Sequence, residues 1–312
     1  MLTQQQKAIM LVKHKAQSAN FYQQKNLIQR RHIMSFLAQA KKATPQAPVL
    51  TIVGFSGAGK SSLAGLFPNP VFIQAENAST VFETMPEFAQ PCFMPQLSVP
   101  NAKRNIKTSE ELLAQLRELI TEQHDFKTVV IDTITSLNVL FEQEVVAFNE
   151  KEVNNIGEAA GGFNKGYLVV ASLHAKLLSA CEHLRKRGIA VVFLAHSGVV
   201  KMKNRPDVGT DYTAFSLDMN DASRKLYVSN SDAVLYLKAR EYVSGGDENK
   251  KGQTTKFARI TNTGERVLIT SSDGTIGYID AKNRYNLPDE IEVNKGENPL
   301  LSLIPFYNQQ TN

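Results

Sequence analysis

The sequence predicts an α/β fold: a mostly parallel central sheet flanked by helices, preceded by a helical arm and followed by a C-terminal β-hairpin. Three observations carry that expectation. From Val49 onward, short and uniformly apolar runs alternate with helical stretches, which is what a sheet covered on both faces requires. Residues 1–42 contain no Gly or Pro and are rich in Gln, Lys, Leu, Met and Ala, all compatible with helix. Past residue 240 the texture turns to "SGGDENKKGQ" and then to alternating "KFARI" and "RVLIT" around "TNTG", the pattern of a hairpin.

In chain order, residues 1–43 form the arm, with Ile9, Met10, Val12, Phe21, Leu27, Ile28, Ile33, Met34 and Leu37 available for an apolar stripe. The prolines of "ATPQAP" (43–48) forbid its continuation and mark a linker. A core is expected over 49–288, and a tail over 289–312. Strands are expected at 49–53, 70–75, 128–132, 190–196 and 233–239. Helices are expected near 60–66, 109–123, 134–150 and 167–187.

Composition narrows the classes. The chain has 312 residues, 42% hydrophobic and 21% charged, which excludes a mainly disordered polymer. No apolar run approaches the roughly 20 residues that a bilayer crossing needs, so no membrane partner and a cytoplasmic location are expected. Cys92 and Cys181 lack CxxC partners and are expected to be reduced and inert. The arm carries Lys7, Lys13, Lys15, Lys25, Arg30, Arg31, Lys41 and Lys42 and no acidic residue, so the overall net charge of +5 resides there and the remainder is slightly acidic.

"GFSGAGKSS", residues 54–62, follows the first apolar strand and precedes a helix. Gly54, Gly59, Lys60 and Ser61 fit G-x-x-x-x-G-K-[ST] in the context that gives this motif its meaning. Gly54, Phe55, Ser56, Gly57, Ala58, Gly59, Lys60, Ser61 and Ser62 are therefore expected to hold ATP. Their backbone N–H groups would turn toward the phosphates. Lys60 would reach the β- and γ-phosphates, and Ser61 would ligate Mg²⁺. Asp132 closes the strand "TVVID", where a carboxylate meets the Mg²⁺ shell.

The next residue is Thr133, where many ATPases carry a glutamate that positions the attacking water. Another base is required. Glu76, beyond "PVFIQA", is the candidate, because parallel strands deliver their C-terminal ends to one crevice. His196 ends "VVFLAH" at that same edge and is placed to bond the γ-phosphate. Asn77 and Ser197 stand behind these.

With these motifs in place, the chain resembles the RecA-type ATPases, most closely the phage single-strand annealing and recombination proteins built on a minimal RecA core. "GFSGAGKSSLAGLFPNPVFIQAEN", "FKTVVIDTITSL", "GGFNKGY", "GIAVVFLAH", "SDAVLYL" and "AKNRYNLP" carry the resemblance over roughly 49–288. It implies that Glu76 polarises water and that His196 senses the γ-phosphate and couples it to a DNA-binding loop. It also implies a bacterial host cell, if the source is a phage, and a single-strand-binding protein as a further partner. One position departs from the pattern: Gln74 stands where an acidic residue is common. The arm has no counterpart in the minimal core.

Single-stranded DNA is expected on the long segment after His196. There Lys201, Lys203, Arg205, Arg224 and Lys225 can neutralise phosphates, while Tyr212 and Phe215 can stack on bases. A second loop, "NNIGEAAGGFNKGY", offers Phe163, Lys165 and Tyr167. The arm is open to DNA contact, to packing on a neighbouring subunit or, least of all, to targeting. Sites of this kind lie between subunits of a ring or filament, where Lys238, Arg240 or Arg284 could complete charge neutralisation in trans. The reading is a Mg²⁺-dependent ATPase that anneals or recombines DNA as a homo-oligomer. Its rivals are a helicase core or loader, and a nucleotide-switched binding module with little hydrolysis.

Overall fold

The computed structural model describes residues 44–77, 79–83, 91–202, 209, 211–244, 259–271 and 279–308. The chain divides into Met1–Pro45 and Gln46–Asn312, and the second unit carries the fold. The basic arm lies outside the described residues.

A ten-stranded sheet forms the centre, in the order β10-β8-β7-β1-β5-β4-β2-β3. Strands β1 (Val49–Gly54), β2 (Pro70–Gln74), β3 (Cys92–Phe93), β4 (Thr128–Asp132), β5 (Ala190–Met202) and β7 (Ala233–Ser244) run parallel. β8 (Arg259–Ile269) and β10 (Glu290–Val293) add antiparallel to one edge. β6 (Tyr212–Leu217) pairs antiparallel with the far half of β5, and β9 (Lys282–Asn283) with β7.

Strand alternation sorts the core onto two faces. Val49, Val53, Ile73, Ile131 and Phe193 meet helices α3 (Thr108–Thr121), α4 (Ile134–Ala147), α5 (Gly166–Lys186) and α6 (Asp221–Asn230) through Leu116, Phe141, Leu177 and Tyr227. Leu50, Ile52, Phe72, Val192 and Leu235 face the other way. They pack on α1 (Lys60–Ala64) and on α7 (Leu300–Leu303) and α8 (Pro305–Asn308) through Leu63, Leu300 and Tyr307. The short helix α2 (Thr80–Glu83) adds Phe82 to that face. Among the described residues no helix is long and apolar enough to cross a membrane.

Three sequence expectations change. Arg259 and Ile260, the described end of "KFARI", and "RVLIT" are not two arms of a hairpin, because one strand, β8, runs through "TNTG" and its antiparallel partner is β7. Gly264 takes a φ of 81° where the β7–β8 register shifts between Ala239 and Glu241, so the turn-like residues form a bulge inside a strand. The segment after His196 is not a plain loop: β5 continues to Met202 and returns as β6, a two-stranded ribbon. Residues 290–308, read as a tail, contribute β10 and buried Ile291, Leu300 and Ile304.

Candidate active site

β1 ends at Gly54, where a Cβ would stand 2.5 Å from the Leu237 carbonyl oxygen of β7. Only glycine permits that approach. Gly57 and Gly59 hold φ of 76° and 97°, which turns the loop into α1. Lys60 is buried, and its Nζ donates to the carbonyls of Gly54 and Phe55, each at 3.0 Å. Burial pulls its pKa down, while Asp132 and Glu76 push it back up.

Sheet order assembles the rest. β5 lies between β1 and β4, so His196 sits beside Gly54, and β4 places Asp132 beside Gln74. Ser61 Oγ donates to Asp132 Oδ2 at 2.7 Å. Burial pushes the Asp132 carboxyl up to about 6, against the Ser61 hydrogen bond. The Asp132 carbonyl accepts from the N–H groups of Ala75 and Glu76, which anchors the tip of β2.

Glu76 accepts from Ser136 Oγ at 2.5 Å and faces His196 Nε2 at 3.4 Å. The His196 contact, ahead of the Ser136 bond, holds its pKa below the ordinary carboxylate value. The His196 N–H donates to Thr135 Oγ1 at 3.0 Å. Thr133, the residue without the expected carboxylate, caps α4 by accepting the Ser136 N–H. Gln74 is buried and donates to the Met94 carbonyl, tying β2 to the segment beyond β3.

These side chains surround a cavity of about 330 Å³ bounded by Lys60, Ser61, Glu76, Asp132, His196 and Arg266. Sequence reasoning missed two of the contributors. Ser136 lies one turn into a helix and leaves no motif. Arg266 arrives from β8, more than 200 residues after the phosphate loop. The Ser61 hydroxyl and the Asp132 carboxylate are hard oxygen donors already in contact, and they suit Mg²⁺. Among the described residues no cluster of three or more His, Cys, Asp or Glu side chains is arranged to hold a metal, so phosphates and water would complete such a shell.

These features coincide with a family. Its model, described as an AAA domain, matches residues 46–285. The chain belongs to the AAA-domain family. It therefore has a P-loop ATPase domain. No curated protein matches the sequence. Among solved structures it is similar to the flagellar accessory protein FlaH from Methanocaldococcus jannaschii, at 10% identity and a TM-score of 0.37, over 80% of this chain and 86% of that one. It is also similar to the KaiC-like protein PH0186 from Pyrococcus horikoshii OT3, at 13% identity and a TM-score of 0.35, over 73% and 80%.

The remaining sequence-predicted residues scatter. Lys201 projects from the ribbon, 60% exposed, 3.7 Å from Asp211. Lys165 is exposed at the start of α5, after five consecutive residues of positive φ, Ala160 to Asn164, among which Phe163 is 92% exposed. Arg224 departs from its expected role: it is buried on α6 and pairs with Asp221 at 2.8 Å, because the helix that carries it packs against the core. Lys225 stays exposed beside the same aspartate. Lys203 and Arg205 lie outside the described residues. Phe215 packs on Phe55 and Tyr236 instead of standing free. Of the trans candidates, Arg240 pairs with Glu265 and Glu290, and Arg284 with Asp232, while Lys238 is partly exposed.

Proposed function

We propose that the protein is a Mg²⁺-dependent ATP hydrolase that binds single-stranded DNA and promotes annealing or recombination as a homo-oligomer. The observation that supports it is the continuity of β5. One strand runs from the buried core, through His196 in contact with Glu76, into an exposed ribbon that carries Lys201. Phe215 of that ribbon packs edge-on against Phe55 of the phosphate loop at 5.8 Å, a second physical route between nucleotide and ribbon.

At the reacting end, Glu76 is ionised at neutral pH and accepts a hydrogen bond from water, which it orients toward the γ-phosphorus. Ser136 and His196 hold its carboxylate in place. Lys60 exchanges the loop carbonyls for phosphate oxygens. Ser61 and Asp132 would hold Mg²⁺, which would supply charge neutralisation to the phosphates. Loss of the γ-phosphate changes what His196 bonds to, and β5 carries that change into the ribbon.

Steady-state ATP hydrolysis with and without single-stranded DNA, on wild type and Glu76→Gln, tests this reading. DNA-stimulated turnover in wild type, abolished by Glu76→Gln while nucleotide still binds, is the expected result. Turnover indifferent to DNA removes the recombination role. Nucleotide binding without turnover favours a switched binding module.

A further inference from the structure

Arg266 is the cation at the nucleotide cavity that no motif accounts for. It stands on β8, exposed, beside the buried Val267 that anchors the strand. Its guanidinium lies over Gly59: a Cβ there would come within 3.0 Å of a terminal nitrogen and 3.1 Å of the guanidinium carbon. Among the described residues the Arg266 guanidinium makes no hydrogen bond and no ion pair. The contrast with Arg240, one strand away and held by two glutamates, is direct. Arg266 also forms no ion pair with Glu76 or Asp132, although all three bound the same cavity.

A guanidinium that ignores nearby carboxylates and lies instead on a loop of backbone donors faces an anion site. Gly57 and Gly59, whose N–H groups donate to no acceptor among the described residues, belong to the stretch of a phosphate loop that cradles the α- and β-phosphates. Glu76 and His196 mark the γ end of the cavity. We propose that Arg266, from the same chain as the loop, bonds the α- and β-phosphate oxygens of the bound nucleotide and so retains nucleoside diphosphate as firmly as triphosphate. The inference rests on nucleotide binding by residues 54–61. A cation supplied in cis also makes retention independent of assembly, unlike one donated across a subunit interface.

Titration of a fluorescent ADP and of ATP in Mg²⁺ buffer, on wild type, Arg266→Gln, Arg266→Lys and Lys60→Ala, decides the matter. Arg266→Gln is expected to weaken ADP by about tenfold to a hundredfold and ATP by the same factor, as loss of charge-assisted hydrogen bonds to phosphate predicts. Arg266→Lys should recover part of the loss, because the charge returns without the fork. The affinities of each protein should not change on dilution. An ADP affinity unchanged in Arg266→Gln, with ATP alone weakened, would assign the arginine to the γ-phosphate and overturn the proposal. Rescue of Arg266→Gln by mixing with Lys60→Ala would place its action in a neighbour and overturn it too. If Lys60→Ala binds ADP like wild type, the nucleotide reading of the loop itself fails, a distinct outcome.

Discussion

His174 and His196 show two ways to place an imidazole inside this protein. His174 is wholly buried on α5. Its Nδ1 lies 2.7 Å from the Tyr227 hydroxyl and its Nε2 3.2 Å from Asn138 Oδ1, which also accepts from Asn220. Asn138 Oδ1 can only accept, so Nε2 carries the hydrogen and Tyr227 donates to Nδ1. Burial pushes the His174 pKa down to about 3, and the ring stays neutral. His196 is partly exposed at the cavity rim and faces a carboxylate. The first cluster is neutral and paired throughout, and it locks α4, α5 and α6 together. In the second, Lys60, Asp132, Glu76 and His196 are crowded together, and Asp132 and Lys60 are each displaced toward neutrality by burial. That difference separates a polar group that stabilises the fold from one held at cost for a charged ligand.

The widest separation comes from removing charge at one cluster and hydrogen bonding at the other. Glu76→Gln should lower ATP turnover by about 10²–10⁴-fold in a steady-state assay, the usual loss for a positioned base. Its urea midpoint should stay near that of wild type. His174→Phe should do the reverse. It strands the Tyr227 hydroxyl in the core and leaves the Asn138 carbonyl with Asn220 alone, so unfolding by urea should show a loss of about 2–4 kcal/mol. At a temperature where it remains folded, its turnover should be close to that of wild type.

Asp132 sharpens the contrast through pH. With its carboxyl near 6 in the fold against 3.8 unfolded, ionisation is costly only in the folded state. The cost is absent below about pH 4, grows as pH rises, and is complete above about 6. Asp132→Asn should therefore stabilise the nucleotide-free protein by roughly 2–3 kcal/mol at pH 7, an advantage that fades toward pH 4, while Mg²⁺-dependent hydrolysis is lost. His174 has the opposite sign. Its folded pKa lies below the unfolded value of 6.5, so its stabilising contribution is full above that value and declines as pH falls. By pH 5 the deficit of His174→Phe against wild type should narrow by about 2 kcal/mol. Between pH 4 and 6 the two slopes oppose each other in wild type, and each variant exposes the other. Denaturant unfolding at four or five pH values is sufficient to see both.

The same division explains what could be read from the sequence. The phosphate loop, "TVVID" and the core strands were legible because each is specified by contiguous residues: an apolar run, a glycine where the backbone must turn, a polar residue at a strand tip. Glu76 and His196 were legible because parallel strands bring their C-terminal ends to one edge. Ser136 and Arg266 were not, since their place depends on which strands become neighbours, and nothing local in "TITSL" or "GERVL" records that. The β5–β6 ribbon was hidden because "MKNRPDVGTDY" is rich in turn formers, which is equally true of a loop and of a hairpin's end. "TNTG" misled for the related reason that a bulge and a turn draw on the same residues. Arg224 was misjudged because a basic residue looks alike on either face of a helix until the partner of that face is known.

Arg224 and Lys201 provide the smallest effect and the most direct test of the ribbon as a DNA surface. Lys201 is 60% exposed, and among the described residues it has a loose aspartate contact to give up. Its exchange for Gln should weaken single-stranded DNA by about two- to fivefold at low salt, and flatten the slope of log affinity against log salt by about 0.7, the share of one phosphate. Arg224→Gln should leave that slope alone, because a side chain 6% exposed and paired with Asp221 cannot release a counterion. Its cost should appear in unfolding instead. A fluorescence-anisotropy salt titration distinguishes the two. Equal slope changes for both variants would mean that net charge, and not the ribbon face, draws the strand. A change with Lys201 alone would tie DNA to the strand that begins the ribbon at His196.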